Sequence, residues 1–337
     1  MPLRVLVVDD SPTFRALLRE GLERDPELSV VAEARNGTEA VSLVESVSPD
    51  VVVMDVEMPE LDGYEATRRI MAERPTPVVV VSGSSERAVR MSVAALEAGA
   101  LTALTKPPGP AEPGSDRAWR RFARTVRAMA EVRVVRRPNG ADRERPSQPP
   151  RRETSVIAMA ASTGGPRAVR TILESLGEDF PAPILLVQHI GEDFAEGFAR
   201  WLDATVPMDV RLAREGDPLR AGAVYLAPPR GHLTVQKGAI RVCDRAPIHG
   251  FRPSASATYA SVARAYGERA LGLILTGMGR DGVEGLRELH RRGGLVVAQD
   301  ASTSVVDSMP ASARRAGIVH EVLPLPDISA YLRSCVA

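Results

Sequence analysis

The stretch LRVLVVDDSPTFRALLREGLER, residues 3–24, decides how the first half of the chain is read. Its first six residues form a near-continuous aliphatic run, the pattern of a strand buried on both faces and hence of a parallel sheet. The segment that follows, PTFRALLREGLER (12–24), sets Phe14, Leu17, Leu18 and Leu22 on one face of a helix. Outward from there the same two signatures recur. SVVAEA (29–34), DVVVMD (50–55) and PVVVVSG (77–83) repeat the apolar run, and GTEAVSLVES (37–46) and SERAVRMSVAALEAG (85–99) repeat the amphipathic helix. A βαβα alternation of this kind predicts a doubly wound α/β domain with right-handed crossovers.

A chain of 337 residues is too long for one such domain, and 44% hydrophobic content supplies a core for two. Lys plus Arg and Asp plus Glu balance at 43 each, so no global field recruits nucleic acid or a membrane surface. Cys243 and Cys335 are the only cysteines and stand in no metal-ligand spacing, which fits a reducing compartment without a disulfide framework. The N-terminus enters a strand interrupted by Asp9 and Asp10, unlike a signal peptide. No apolar run reaches the roughly 20 residues that span a bilayer. A cytoplasmic protein is expected.

From Lys106 the pattern breaks. KPPGPAEPGS is rich in turn formers, RAWRRFARTVRAMAEV (117–132) reads as a basic amphipathic helix closing the first domain, and RRPNGADRERPSQPPRRE (136–153) has too little apolar surface to fold. The expected plan is a first domain over 1–132, a linker over 133–153 and a second domain over 154–337. In the second domain SVIAMAAS (155–162), APILLVQH (182–189), AVYLAPP (223–229), ALGLILTGM (270–278) and GLVVAQD (294–300) read as strands. Helices are expected at 166–177, 194–204, 256–267, 283–292 and 310–316, and LTVQKGAIRVC (233–243) as a hairpin turning at Lys237 and Gly238.

Ligands of doubly wound sheets gather outside the C-terminal ends of the strands. There Asp9 and Asp10 end the first strand and Asp55 the third, three carboxylates that repel unless a hard cation such as Mg²⁺ neutralises them. Ser82 ends the fourth strand and Lys106 follows the fifth, so a hydroxyl and an ammonium could hold phosphoryl oxygens on Asp55. Taken singly, an acid after a strand is more often a helix cap. The joint pattern VVDDS, MDVEMPELDGYE, VSG and TKP closely resembles the receiver domain of two-component response regulators. The resemblance covers Pro2 to about Val132 and implies a flavodoxin-like fold. It implies Asp55 as phosphoacceptor, Mg²⁺ held by Asp9, Asp10, Asp55 and the Glu57 carbonyl, Ser82 as switch hydroxyl and Lys106 as phosphate-sensing cation. It also makes Lys106–Pro107 a candidate cis bond. Ala103 stands where the family places an aromatic switch residue, a departure that bears on how phosphorylation is transmitted.

Ser162 sits where SVIAMAA meets STGGPRAVRTILESL, at the strand's C-terminal rim and beside a helix opened by glycines and Pro166. Backbone N–H groups and the positive end of the helix dipole could stabilise an oxyanion there. A helix-capping serine is the plain alternative, and a nucleotide loop a poor one, since neither GxGxxG nor a P-loop lysine is present. Of the five histidines, His189 is favoured as base because its apolar strand delivers it to the neighbouring rim. His232 is next, and His249, His290 and His320 follow. Asp281, in a glycine-rich turn past LGLILTGM, is favoured as the orienting acid over Asp300 and Asp307.

The motifs AASTGGP, LLVQH, GAVYLAPPRGHL, LTGMGRDG and VVAQDASTSVV resemble the catalytic domain of chemotaxis protein-glutamate methylesterases, the CheB family, from about Thr154 to the C-terminus. The order receiver, linker, esterase also matches. The resemblance implies a Rossmann-like serine hydrolase with Ser162, His189 and Asp281 as triad, Thr163, Gly164, Gly165 and Met278 beside it, and no esterase cofactor. It implies hydrolysis of γ-glutamyl methyl esters on the cytoplasmic helices of chemoreceptors, with deamidation of glutamines by the same acyl chemistry. A histidine kinase would phosphorylate Asp55, and the receiver is expected to obstruct the cleft until then; neither nucleic acid nor membrane insertion is implied. The chain departs from the family at IGEDFAEGF (190–198), at PSASATY (253–259), which lacks an acidic residue, and at Asp307 and Ser308. These departures are expected to touch cleft walls rather than the triad and to bear on substrate identity. An esterase for another protein, or a receptor-binding module without catalysis, stand as the other readings.

Overall fold

The computed structural model describes residues 1–83, 86–109, 111–132 and 154–336. The chain divides into two compact units, Met1–Gly140 and Ala141–Ala337. The expected linker over 133–153 lies outside the described residues.

In the first unit the strands are β1 (Leu3–Val8), β2 (Leu28–Ala34), β3 (Val51–Asp55), β4 (Val78–Ser82) and β5 (Thr102–Thr105). They pair in parallel in the order β2-β1-β3-β4-β5. Helices α1 (Pro12–Glu23), α2 (Gly37–Val47), α3 (Gly63–Glu73), α4 (Glu86–Ala98) and α5 (Ser115–Ala130) make the crossovers and the closure. Val51, Val52 and Val53 in β3 and Val78, Val79 and Val80 in β4 are fully buried, as the unbroken valine runs require of strands covered on both faces. Each buried valine or leucine of this kind contributes about 1.5–3 kcal/mol. The helix starts are set by side chains. Ser11 accepts from the Phe14 N–H, Asn36 from Glu39 and Asp62 from Glu65, each satisfying a donor that the first turn leaves open. The basic helix α5 lays Trp119, Phe122, Val126 and Met129 inward, as its periodicity predicts.

The second unit carries a seven-stranded sheet in the order β14-β13-β12-β6-β7-β9-β8, every pairing parallel. In chain order its elements are β6 (Val156–Ala161), α6 (Gly165–Leu176), β7 (Ile184–Gln188), α7 (Ala195–Thr205), β8 (Asp209–Leu212), β9 (Ala223–Leu226), β10 (His232–Gln236), β11 (Ala239–Cys243), α8 (Ala255–Tyr266), β12 (Ala270–Ile274), α9 (Val283–Arg291), β13 (Leu295–Gln299), α10 (Ser308–Arg315), β14 (Glu321–Leu323) and α11 (Leu325–Cys335). Strands β10 and β11 form the expected antiparallel hairpin, with Lys237 and Gly238 both at positive φ in the turn. The chain leaves β6 for β7 on one side and later returns to β12 on the other. The strand order therefore reverses at β6, and loops there open a crevice at the C-terminal rim.

The five expected strands and five expected helices of this unit appear within a few residues of their predicted bounds. Strands β8 and β14 and helix α11 were not anticipated. The two strands lie at the sheet's edges and are 4 and 3 residues long, too short for a periodic signal. Among the described residues the cis X–Pro bond is Arg252–Pro253; Lys106–Pro107, the candidate from resemblance, is not cis.

Candidate active site and acidic pocket

Ser162 and His189 are the residues that follow two paired strands. Ala161 stands opposite Gln188 in the β6–β7 register, and the His189 N–H donates to the Ala161 carbonyl at 2.9 Å. The Gln188 side-chain amide ties the two ends together, donating to the Ser162 carbonyl at 2.8 Å and to the His189 carbonyl at 3.0 Å. On the other flank the Ser162 N–H donates to the Thr276 carbonyl at 3.0 Å, just past β12. The nucleophile candidate is thus pinned between the loops that follow its two neighbouring strands.

Asp281 closes the set. Its Oδ2 lies 2.9 Å from Nε2 of His189. Oδ1 accepts from the Ser254 hydroxyl at 2.8 Å and the Gly282 N–H at 2.8 Å, and Oδ2 from the Ala255 N–H at 2.7 Å. Burial alone would raise this carboxyl, but His189, the Ala255 N–H and Ser254 outweigh it and hold the pKa below the ordinary aspartate value. An ionised Asp281 fixes the proton of His189 on Nε2. Nδ1 is buried and makes no hydrogen bond, so the ring's one basic lone pair is unused. Phe251 stacks on the imidazole with centroids 4.5 Å apart and planes 18° from parallel, which sets the ring's tilt.

Close backbone approach explains two glycines. A Cβ on Gly277 would lie 2.7 Å from the Ser162 Cβ and 2.4 Å from the Met309 Sδ. Gly164, the first residue before α6, has φ +74° and would collide with Val305 at 2.6 Å. The Thr276 hydroxyl, buried, donates to the Thr163 carbonyl at 2.9 Å and accepts from the Val306 N–H at 3.0 Å, joining three loops of the rim. Thr163 is itself buried, whereas Met278 is 37% exposed at the mouth.

The first unit brings Asp9, Asp10, Asp55, Ser82 and Lys106 to one rim, also at a reversal of strand order. Asp9 and Asp55 are buried and Asp10 is exposed. The Lys106 ammonium donates at 2.8 Å to both Asp9 and Asp55, and stands 4.5 Å from the Phe14 ring centroid. Burial, against the pull of Lys106, lifts Asp55 to about 6. Ser82 is fully buried and its hydroxyl donates to the Gly83 carbonyl at 2.9 Å, while its own carbonyl accepts from the Lys106 N–H at 2.9 Å. Carboxylate oxygens of Asp9, Asp10 and Asp55 all lie within 4.8 Å of one another, a hard-oxygen set that fits Mg²⁺. Ala103 is buried within β5.

The sequence model of the CheB methylesterase family matches residues 157–332, and that of the response regulator receiver domain matches residues 5–112. The protein-glutamate methylesterase/protein-glutamine glutaminase 4 of Myxococcus xanthus is 52% identical over 99% of this chain and 97% of its own length. The chain belongs to the CheB methylesterase family. A second relative, methylesterase/glutaminase 3 of Anaeromyxobacter dehalogenans, is 51% identical over 95% of each chain. The solved CheB methylesterase catalytic domain of Thermotoga maritima aligns over 55% of this chain and all of its own length, with 35% identity and a TM-score of 0.53.

One expectation drawn from family departures is corrected. PSASATY was expected to touch only cleft walls, yet Ser254 and Ala255 donate directly to Asp281. Neither had a signal in the sequence, because a loop brings them to an acid more than 25 residues away. Asp307 pairs with Arg314, and the Ser308 hydroxyl accepts from the Gly279 N–H at 2.6 Å. Three of the four rival histidines have structural partners, and His249 lies in a loop that lines a cavity beside Asp281. His232 is buried, with Nδ1 accepting from the Ser254 N–H at 3.2 Å and Nε2 3.2 Å from the Ala246 carbonyl. His290 and His320 lie ring against ring at 4.9 Å. Asp300 caps its own turn through Ser302 and Thr303. Among the described residues no helix is long and apolar enough to cross a membrane.

Proposed function

We propose that this CheB-family chain is a phosphorylation-regulated protein-glutamate methylesterase. In this reading it removes methyl groups from glutamyl 5-O-methyl esters on the cytoplasmic helices of chemoreceptors and also deamidates glutamines there. The observation that carries it is the split use of the His189 ring, Nε2 on Asp281 and Nδ1 buried without a partner beside the strand end that bears Ser162.

Nδ1 of His189 takes the Ser162 proton as Oγ attacks the ester carbonyl, and the electron pair of that carbonyl moves onto its oxygen. N–H groups at the start of α6, around Thr163, Gly164 and Gly165, and the helix dipole stabilise that oxyanion. Collapse expels methoxide, which leaves as methanol with the proton from His189. Water, deprotonated by the same nitrogen, then attacks the glutamyl-Ser162 ester and releases glutamate and free Ser162. A glutamine substrate follows the same steps with ammonia as leaving group. Asp281 stabilises the imidazolium of each step and keeps the tautomer.

In the receiver, Asp55 accepts phosphate from a histidine kinase. Asp9, Asp10, Asp55 and the Glu57 carbonyl would hold Mg²⁺, which when bound supplies positive charge to the phosphoryl oxygens. Lys106, already on Asp55, and the Ser82 hydroxyl sense the added phosphate, and the phosphorylated state favours the active form of the esterase. In this reading the site of action is cytoplasmic, where the histidine kinase and the receptor helices would be met.

Mass spectrometry of a methylated receptor fragment tests the reading. Incubation with this protein, Mg²⁺ and a small phosphodonor should convert methyl glutamate to glutamate and, more slowly, selected glutamines to glutamate. Unchanged methyl glutamate with phosphate present on Asp55 would overturn the assignment.

A further inference from the structure

A cavity of about 770 Å³ opens beside the base and its acid, lined among others by Phe251, Asp281, Arg280, Arg287 and Arg315. Phe251 is the ring stacked on His189 and Asp281 is the acid bonded to it, so the cavity adjoins that pair. Its charges do not balance. Glu284 is matched by Arg287 at 3.6 Å, and Asp281 is buried with both oxygens engaged by His189 and its other donors. Arg315 is exposed and donates to the Ser312 hydroxyl at 3.0 Å, with no carboxylate partner among the described residues. Arg280 is exposed next to Asp281 and likewise has none. Two guanidinium groups therefore line this cavity without a carboxylate partner among the described residues, each able to grip a carboxylate with two parallel hydrogen bonds.

We infer that this cavity is a specificity subsite for carboxylates that flank the scissile ester, with Arg280 and Arg315 as the recognising residues. The inference rests on the esterase reading above and names its substrate chemistry: a protein segment carrying free glutamates around the esterified one. A segment modified at several glutamates gains a carboxylate with every turnover, so the subsite makes each hydrolysis favour the next on the same segment. The scissile side chain itself is neutral and enters toward Ser162. Steering by a complementary field raises productive encounter while leaving the chemistry at the triad unaltered.

The test compares two methylated receptor fragments, one with glutamates and one with glutamines at the positions flanking a single methyl ester, by methanol release. Wild type should prefer the acidic fragment in kcat/KM by about tenfold, the scale of two partly solvated ion pairs. Arg280→Glu/Arg315→Glu should bring that ratio to about one or below, and Arg280→Lys/Arg315→Lys, which keeps the charges but not the paired hydrogen bonds, should retain part of it. A merely structural loss would lower both substrates alike and leave the ratio in place. A ratio unchanged by charge reversal, in a variant that still releases methanol, overturns the subsite alone. Absence of methanol from both fragments with wild type contradicts the esterase reading and the subsite with it.

Discussion

The Ser254 hydroxyl donates to Oδ1 of Asp281 at 2.8 Å, on the oxygen that His189 does not use. Both residues are buried, so this bond, together with the Gly282 N–H, fixes the carboxylate's rotation and so the oxygen offered to Nε2. Removing a donor to a buried charged group costs about 1.5–3 kcal/mol. Ser254→Ala should therefore lower the denaturation midpoint and reduce kcat by about tenfold to a hundredfold, with the acid limb of the pH–rate profile displaced. Chemical denaturation and methanol release across pH check both parts.

Asp281 also makes stability depend on pH in a definite direction. Its folded-state pKa lies below the ordinary value of 3.8. The unfolded chain therefore binds this proton more readily, and the stabilisation is present above the unfolded pKa and lost as pH falls through the folded one. Wild type should lose thermal stability on acidification below about pH 4, and Asp281→Asn should lose less over the same interval while being less stable at neutral pH. At neutral pH the asparagine variant should lose about 10⁴-fold in kcat, since it cannot hold the tautomer that leaves Nδ1 basic. Melting curves between pH 3 and pH 7, together with turnover at neutral pH, measure these effects.

Gly277 stands against Ser162 with no room for a methyl group, 2.7 Å from its Cβ. Met309 can move its thioether, but the Ser162 backbone is held by the Thr276 carbonyl and by Gln188. Gly277→Ala should destabilise the fold by about 1–3 kcal/mol through overpacking and displace Ser162, so that, with Ser162 as the proposed nucleophile, activity should fall further than stability. Calorimetry paired with methanol release separates the two losses.

In the receiver, Lys106 is the cation shared by Asp9 and Asp55. In the proposed reading, Lys106→Ala leaves Asp55 as acceptor but removes the cation that would register its phosphorylation. The variant should still acquire acid-labile phosphate from a small phosphodonor with Mg²⁺ while its methanol release shows little or no stimulation. Phosphate content and esterase rate in the same samples check this outcome.

Much of this was legible in the chain because the relevant elements are long and buried on both faces. Valine runs announced β3 and β4, and a strand that ends at the sheet's rim necessarily delivers Asp55, Ser162 or His189 there. The Lys237-Gly238 turn was legible from its own chemistry. What escaped were features made by loops. Ser254, Ala255 and Phe251 reach the triad from a segment with no periodicity, and Gln188 and Thr276 act through bonds to backbone carbonyls, which leave no trace in spacing. Edge strands β8 and β14 were too short to register. The charge asymmetry of Arg280 and Arg315 emerged only once folding showed which acids their neighbours had already taken.

Methanol released from a methylated receptor fragment by wild type and by Ser162→Ala, at equal concentrations with a phosphodonor, tests the central claim most directly. The expected result is steady release by wild type and a loss of at least about 10³-fold in the alanine variant. Release by Ser162→Ala at the wild-type rate would contradict the assignment of Ser162 as nucleophile and the triad built on it.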